Sequence, residues 1–300
     1  MTSPRMRPNL IIPGAAKSGT SSLFEYLARH PDIQPAERKE PHIYSGNLRY
    51  ERRDLRFREL FPASGAGTRY RMEASTSYLV SPLATRRMAD DLVEPKLIIL
   101  LRNPVDRIVS HYRWLRGLGM EWRSLRGAVE RDLEDSFDFE RRIRGNFRFY
   151  FDYSRYGTHV GRFQSAFGRD AVPVVTSEAL RAERTSTLRM CTDFLGLSEL
   201  TDAGPIMSNR TSETRWPVAA AAVWSHAQRY RWPRRAGHLI PILPFGRPII
   251  RRTQERFGQL APRASDAERA WLAQLLSKEV AKLREATGEA FSEWKDFART

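Results

Sequence analysis

The chain has 300 residues, 41% of them hydrophobic, enough to bury a sizeable core in one large domain. Lysine and arginine number 50 against 35 aspartates and glutamates, and the net charge of +15 favours anionic ligands. Cys191 is the only cysteine, so an intrachain disulfide is excluded; the chain also shows no secretory apolar core and no run near the roughly 18 apolar residues of a membrane span, so the expected location is cytoplasmic.

Strands are expected at 9–13, 69–74, 96–101 and 172–176. Helices are expected at 20–29, 82–92, 104–116, 122–145, 155–167 and 184–195. The alternation predicts an α/β fold: a P-loop-like, three-layer domain with a central parallel sheet flanked by helices. The first strand, Leu10-Ile-Ile12, runs into a small-residue loop holding Lys17, Ser18 and Gly19. A helix opens at Thr20, Ser21 and Ser22, with Leu23, Phe24 and Leu27 on one face. Strand, glycine loop and helix aim backbone N–H groups and a helix N-terminus at an anion. The lysine precedes the last glycine, so the loop does not match the G-x-x-x-x-G-K-[ST] pattern of NTPases.

The run Lys96-Leu-Ile-Ile-Leu-Leu101 has the continuous apolar character of a strand buried on both faces. Asn103 can cap the next helix, and Pro104 suits its first position. Arg102 therefore stands at a strand's carboxyl end, where open α/β sheets bind ligands, and Ser110 comes round to the Asn103 face two turns on. A guanidinium there suits a second phosphate. Only positions 17, 39, 96, 278, 282 and 295 are lysine, and arginine supplies the rest of the basic charge. Arginine richness alone is not read as nucleic-acid binding, and no nucleic-acid partner is expected. The lysines at 17 and 39 are the more telling, because both fall inside motifs.

Towards the C-terminus, Pro217, Pro233, Pro241, Pro244, Pro248 and Pro262 punctuate the segment 216–262. Its string Leu239-Ile-Pro-Ile-Leu-Pro-Phe245 is flanked by Arg234, Arg235, Arg247, Arg251 and Arg252. Two readings stand: an irregular loop packed on the core, or a lid for an amphiphilic anionic acceptor with membrane-surface contact at 239–252. Ser265 and Glu268 have capping-box spacing, opening a helix over 264–285 with Leu272, Leu275, Leu276, Val280 and Leu283 inward. The whole of 1–300 is read as one domain, its oligomeric state unspecified.

Four blocks together carry a family resemblance. The chain resembles sulfotransferases that use 3′-phosphoadenosine-5′-phosphosulfate (PAPS), most of all the heparan-sulfate, carbohydrate branch and its bacterial relatives. The blocks are Gly14 to Ser22, Arg102-Asn-Pro to Ser110, Lys39-Glu-Pro-His-Ile-Tyr44 and Met72-Glu-Ala-Ser-Thr-Ser-Tyr78. The resemblance implies that Lys17, Ser18, Gly19, Thr20, Ser21 and Ser22 hold the 5′-phosphosulfate. It implies that Arg102 and Ser110 hold the 3′-phosphate, and that Glu40 is the catalytic base. In the fourth block Ala74 stands where the family pattern has lysine and Thr76 where it has proline, which puts that lysine's contacts in doubt.

Sulfuryl transfer resembles phosphoryl transfer, an in-line displacement with charge on equatorial and leaving oxygens. Glu40 is expected to take the acceptor's proton, with His42 the rival base. Lys17 is expected to stabilise charge on the leaving phosphate. The acceptor is read as an anionic, carbohydrate or small molecule bearing a hydroxyl or amine. No carboxylate or histidine cluster has metal-ligand spacing, so no metal is implied. Two alternatives stand beside this reading: a P-loop-type kinase, with Glu73 as its metal-holding carboxylate, and a non-catalytic binder of polyanions.

Overall fold

A computed structural model describes residues 7–62, 68–117, 121–134, 149–200, 204 and 263–298. The segment 216–262, read as a core-packed loop or a lid, lies outside the described residues.

The sheet forms from short strands with parallel pairing throughout. β1 (Leu10–Ile12) pairs with β3 (Tyr70–Ala74), and β3 with β2 (Ile33–Pro35). The run 96–101 divides at Ile98 into β4 (Lys96–Leu97), on β1, and β5 (Ile99–Leu101), on β6 (Val174–Thr176). The sheet order is β2-β3-β1-β4, and β5-β6 continues it through the unbroken chain at Ile98. Alternation of side chains between two covered faces explains why β1 and β5 are apolar at every position. Leu10 and Ile12 enter one core layer with Ile98 and Leu100, while Ile11 enters the other with Leu97, Ile99 and Leu101.

Helices cover both faces. α1 (Thr20–Leu27) contributes Leu23, Phe24 and Leu27 to the Leu10 layer. α8 (Ser177–Ala182) and α9 (Arg184–Leu195) add Leu180, Leu188 and Leu195 there. Cys191 lies in the same layer, and burial pushes its thiol up to about 12, far from a reactive thiolate. The opposite layer receives α4 (Pro82–Asp91), α5 (Pro104–Gly117), α6 (Leu125–Glu134), α7 (Tyr156–Phe167) and α10 (Asp266–Thr287). No helix among the described residues is long and apolar enough to cross a membrane.

Most expected elements appear with shifted ends. The helix expected over 122–145 is described only as α6, with 135–148 outside the described residues. β2, α2 (Asn47–Glu51), α3 (Arg53–Leu60) and α8 are additional. α3 buries only Phe57 and Leu60, too few to draw an apolar stripe in the sequence.

The C-terminal segment completes the second layer. Ser265 and Glu268 form the expected capping box, and α10 buries Leu272, Leu276, Val280 and Leu283, with Leu275 half-buried. Glu279 is also buried in this helix and caps α7, accepting from Thr158 N at 3.0 Å and Thr158 Oγ1 at 2.9 Å. The helices touch at Gly157, where a Cβ would lie 2.5 Å from Glu279 O and 2.9 Å from Leu283 N. Both are main-chain atoms and cannot rotate away. Gly157→Ala should therefore destabilise the fold by about 1–3 kcal/mol through overpacking, read as a lower urea midpoint. An unchanged midpoint would show that α7 and α10 do not meet this closely.

Candidate active site

The carboxyl ends of β1, β3 and β5 converge, and each delivers one part of the site. The loop after β1 is tied to the sheet by two main-chain bonds, Leu100 N to Gly14 O at 2.9 Å and Ala15 N to Leu100 O at 2.7 Å. Gly19 then caps α1 with φ 90°, a left-handed conformation that glycine adopts without steric cost. A glycine cap offers no side-chain acceptor, so the first amides of α1 remain for an anion.

Among the described residues, the buried Ser18 Oγ and Arg102 Nε have no hydrogen-bond partner. Leaving such groups unpaired costs about 1–3 kcal/mol each, which an anion in the loop would recover. Arg102 follows β5 and its Nη1 donates to Lys17 O at 3.5 Å. Lys17 places its Nζ 5.1 Å from the centre of the Trp114 ring. Burial, then the charges of Arg102 and Arg107, pull the Lys17 ammonium down to about 8, and the nearby Glu40 only partly offsets them. The charges that act most on Lys17 are cationic.

The second part is the loop 39–45, held against the chain leaving β3. Glu40 N donates to Ala74 O at 2.9 Å, and His42 N to Ser75 Oγ at 3.0 Å. Ile43 N and Tyr44 N both donate to the Tyr78 hydroxyl, at 2.9 and 3.3 Å. These bonds fix Glu40 at φ 58° and His42 at φ 53°. Pro41 alone would bias Glu40 towards an extended backbone; the clamp from β3 overrides that preference. Left-handed non-glycine residues cost on the order of 1–3 kcal/mol each and persist where surrounding bonds over-determine them.

The Glu40 carboxylate meets three donors. Lys39 Nζ lies 3.1 Å from Oε1, His42 Nε2 lies 3.2 Å from Oε2, and Thr76 Oγ1 reaches both oxygens at 3.3 and 3.2 Å. Burial works to raise this carboxyl, but the bond from His42 and the charge of Lys39 outweigh it and hold it at about 2. His42 Nδ1 is 2.6 Å from Ser77 Oγ, which orients the ring. Lys39 Nζ also lies 3.3 Å from Thr20 Oγ1, on the first residue of α1. One ammonium thus joins the loop that can seat an anion to the carboxylate that can take a proton.

A family model described as a sulfotransferase domain matches residues 7–210, which carry all of these groups. The chain belongs to the sulfotransferase domain family. It is 28% identical over 201 residues to the human bifunctional heparan sulfate N-deacetylase/N-sulfotransferase 1, covering 65% of this chain and 23% of that protein. It is 29% identical over 196 residues to mouse heparan sulfate glucosamine 3-O-sulfotransferase 3B1, covering 64% of this chain and 47% of that one. The chain therefore spans less than half the length of either. Among solved structures, a sulfotransferase from Alicyclobacillus acidocaldarius superposes with a TM-score of 0.66 at 25% identity, covering 96% of this chain and 99% of that one. The P-loop-like α/β fold is the one sulfotransferases have.

Within this sulfotransferase fold the expected residues are not equally close. Lys17, Ser18, Gly19 and Thr20 gather with Arg102, and Glu40, His42 and Lys39 adjoin them. Ser21 and Ser22 continue α1, both half-buried. Ser110 is half-exposed on α5, and no hydrogen bond among the described residues joins it to Arg102. Ala74 is buried among Leu10, Ile12 and Met72, so no cation stands there. Thr76, in the place of the family's proline, bonds Glu40 instead.

Arg107, the second arginine of the Arg102–Ser110 block, is fully buried on α5. It donates to Ser154 Oγ at 2.6 Å and Tyr150 O at 2.5 Å, anchoring 150–154 beside the loop. Glu73 faces inward too. It is wholly buried, with Ser75 Oγ donating to its Oε1 at 2.5 Å, so it does not present to the phosphate loop as a metal-holding carboxylate would. No group of three or more histidines, cysteines and carboxylates among the described residues could hold a metal ion.

Burial raises the Glu73 carboxyl from an ordinary 4.5 to about 8, although bonds from Ser75 and Tyr78 pull it down. A raised carboxyl favours folding below its unfolded value, and that contribution is lost as pH rises towards the folded value. Glu73→Gln should thus gain stability relative to the native protein as pH climbs from 4.5 to about 8. A pH-independent difference in urea unfolding would show that Glu73 titrates normally.

Proposed function

We propose that the chain transfers the sulfuryl group of PAPS to a hydroxyl or amine of an anionic or carbohydrate acceptor. One observation carries the reading: Lys39 links Glu40, the base, to Thr20 at the phosphate loop, so proton acceptor and anion cradle form one site. The unpaired Ser18 Oγ and Arg102 Nε fit the donor's phosphates. The names of the relatives support a carbohydrate acceptor.

Each residue has a physical task. Ser18, Gly19, Thr20, Ser21, Ser22 and the first amides of α1 hold the 5′-phosphosulfate, and Arg102 with Ser110 holds the 3′-phosphate. When bound, PAPS supplies an activated sulfuryl group whose leaving group is a phosphate. Lys17 places a positive charge where negative charge develops in the transition state. Its backbone and the Trp114 ring hold it there before the donor arrives. Glu40 takes the proton from the acceptor. His42, oriented by Ser77, fixes one Glu40 oxygen, and Thr76 spans both.

Adenosine 3′,5′-bisphosphate should raise the melting temperature well above the rise given by 5′-AMP, by ligand linkage. Arg102→Ala should erase most of that difference; equal stabilisation by the two nucleotides in the native protein would remove Arg102 from the site.

The base assignment has its own test. Glu40→Gln keeps the shape but cannot take a proton, so turnover should fall by on the order of 10²–10⁴ with bisphosphate binding retained. His42→Gln should be milder. The reverse ranking of the two variants would make histidine the base.

A further inference from the structure

The Lys39 contacts carry a consequence beyond binding. We propose that Lys39 couples occupancy of the phosphate site to the strength of the base: its ammonium bridges Thr20 and Glu40, and an anion on the first turn of α1 draws it off Glu40. The inference rests on the donor and base assignments above.

The geometry makes Lys39 a shared cation. Its Nζ stands 3.1 Å from Glu40 Oε1 and 3.3 Å from Thr20 Oγ1, and the side chain is only 21% exposed. Thr20 accepts from Lys39, so its own O–H is free to point at an anion seated on the helix N-terminus. That anion would lie beside an atom Lys39 already touches. A phosphate carries more charge than one carboxylate and offers more acceptors, so it competes effectively for the ammonium.

Glu40 does not swing free when Lys39 leaves, because His42 and Thr76 still hold it. Its position is kept while a stabilising cation is withdrawn, and a carboxylate that loses a neighbouring cation becomes more basic. The other titratable groups facing Glu40 are His42 on the same loop, Lys17 across the phosphate loop and the buried Glu73. None of these touches Thr20. The base thus strengthens once the donor is seated and draws Lys39 away. Lys39 acts through Glu40 and is a positioning residue.

Coupling is reciprocal, so it can be read from binding alone. If Glu40 competes with the anion for Lys39, Glu40→Gln should tighten adenosine 3′,5′-bisphosphate in the full chain by about 5–10-fold, within the usual range of such couplings. In the Lys39→Met background the same change should alter affinity by less than about twofold, because the shared cation is gone. Lys39→Arg, which keeps the charge, should retain the coupling. Should Lys39→Met fail to melt cooperatively, Lys39→Gln supplies the neutral background. Calorimetric titration of the four corners reads the cycle directly. Equal tightening in both backgrounds, or none in either, would overturn the coupling while leaving the donor assignment standing. Failure of the native protein to bind the bisphosphate would overturn the donor assignment and the coupling with it.

Discussion

Two hydrogen bonds between Leu100 and the loop after β1 set the geometry of the site. Leu100 N donates to Gly14 O, and Leu100 O accepts from Ala15 N. Leu100 is fully buried, so neither bond competes with water. They fasten the phosphate loop to the strand that delivers Arg102 two residues later. Both corners of the proposed anion site are therefore referenced to one piece of sheet. The C-terminal segment braces that piece from the other side: Asn103 Nδ2 donates to Asp296, which is held in turn by Arg269. Residues beyond the family match thus steady the residue next to Arg102.

The exit of β3 does the same for Glu40, the proposed base. Residues 74–78 supply a main-chain carbonyl and four hydroxyls to the loop 40–45. This template explains how two left-handed non-glycine residues persist at the centre of the site. It also explains why the fourth sequence block matters although its lysine is missing. What it contributes is mostly a mould, and Thr76 adds a direct bond to Glu40.

Much of this was legible in the sequence, for identifiable reasons. The runs Leu10–Ile12 and 96–101 read as two-faced strands because apolar residues at consecutive positions fit no amphipathic element. The capping box at Ser265 and Glu268 fixed the start of α10 because its reciprocal bonds need only local residues. Other features depended on distant contacts. The left-handed Glu40 contradicts the local influence of Pro41 and exists only because β3 clamps it. Arg107 is visible as the second arginine of the Arg102–Ser110 block, but its bonds to Ser154 and Tyr150 join it to a distant segment that no local pattern encodes. The role of Ser75 as acceptor for His42 N joins residues far apart in sequence, and no local pattern encodes it. Lys39 lay between these cases. Its rarity as a lysine was visible, but its two partners were not.

In the proposed mechanism this cradle and this base act together on a sulfuryl group. The most direct measurement is mass spectrometry of candidate acceptors after incubation with PAPS and the protein. The account predicts an acceptor heavier by one SO₃ group, formed together with adenosine 3′,5′-bisphosphate. It also predicts no product when ATP replaces PAPS. An acceptor heavier by a phosphoryl group with ATP, and unchanged with PAPS, would contradict it.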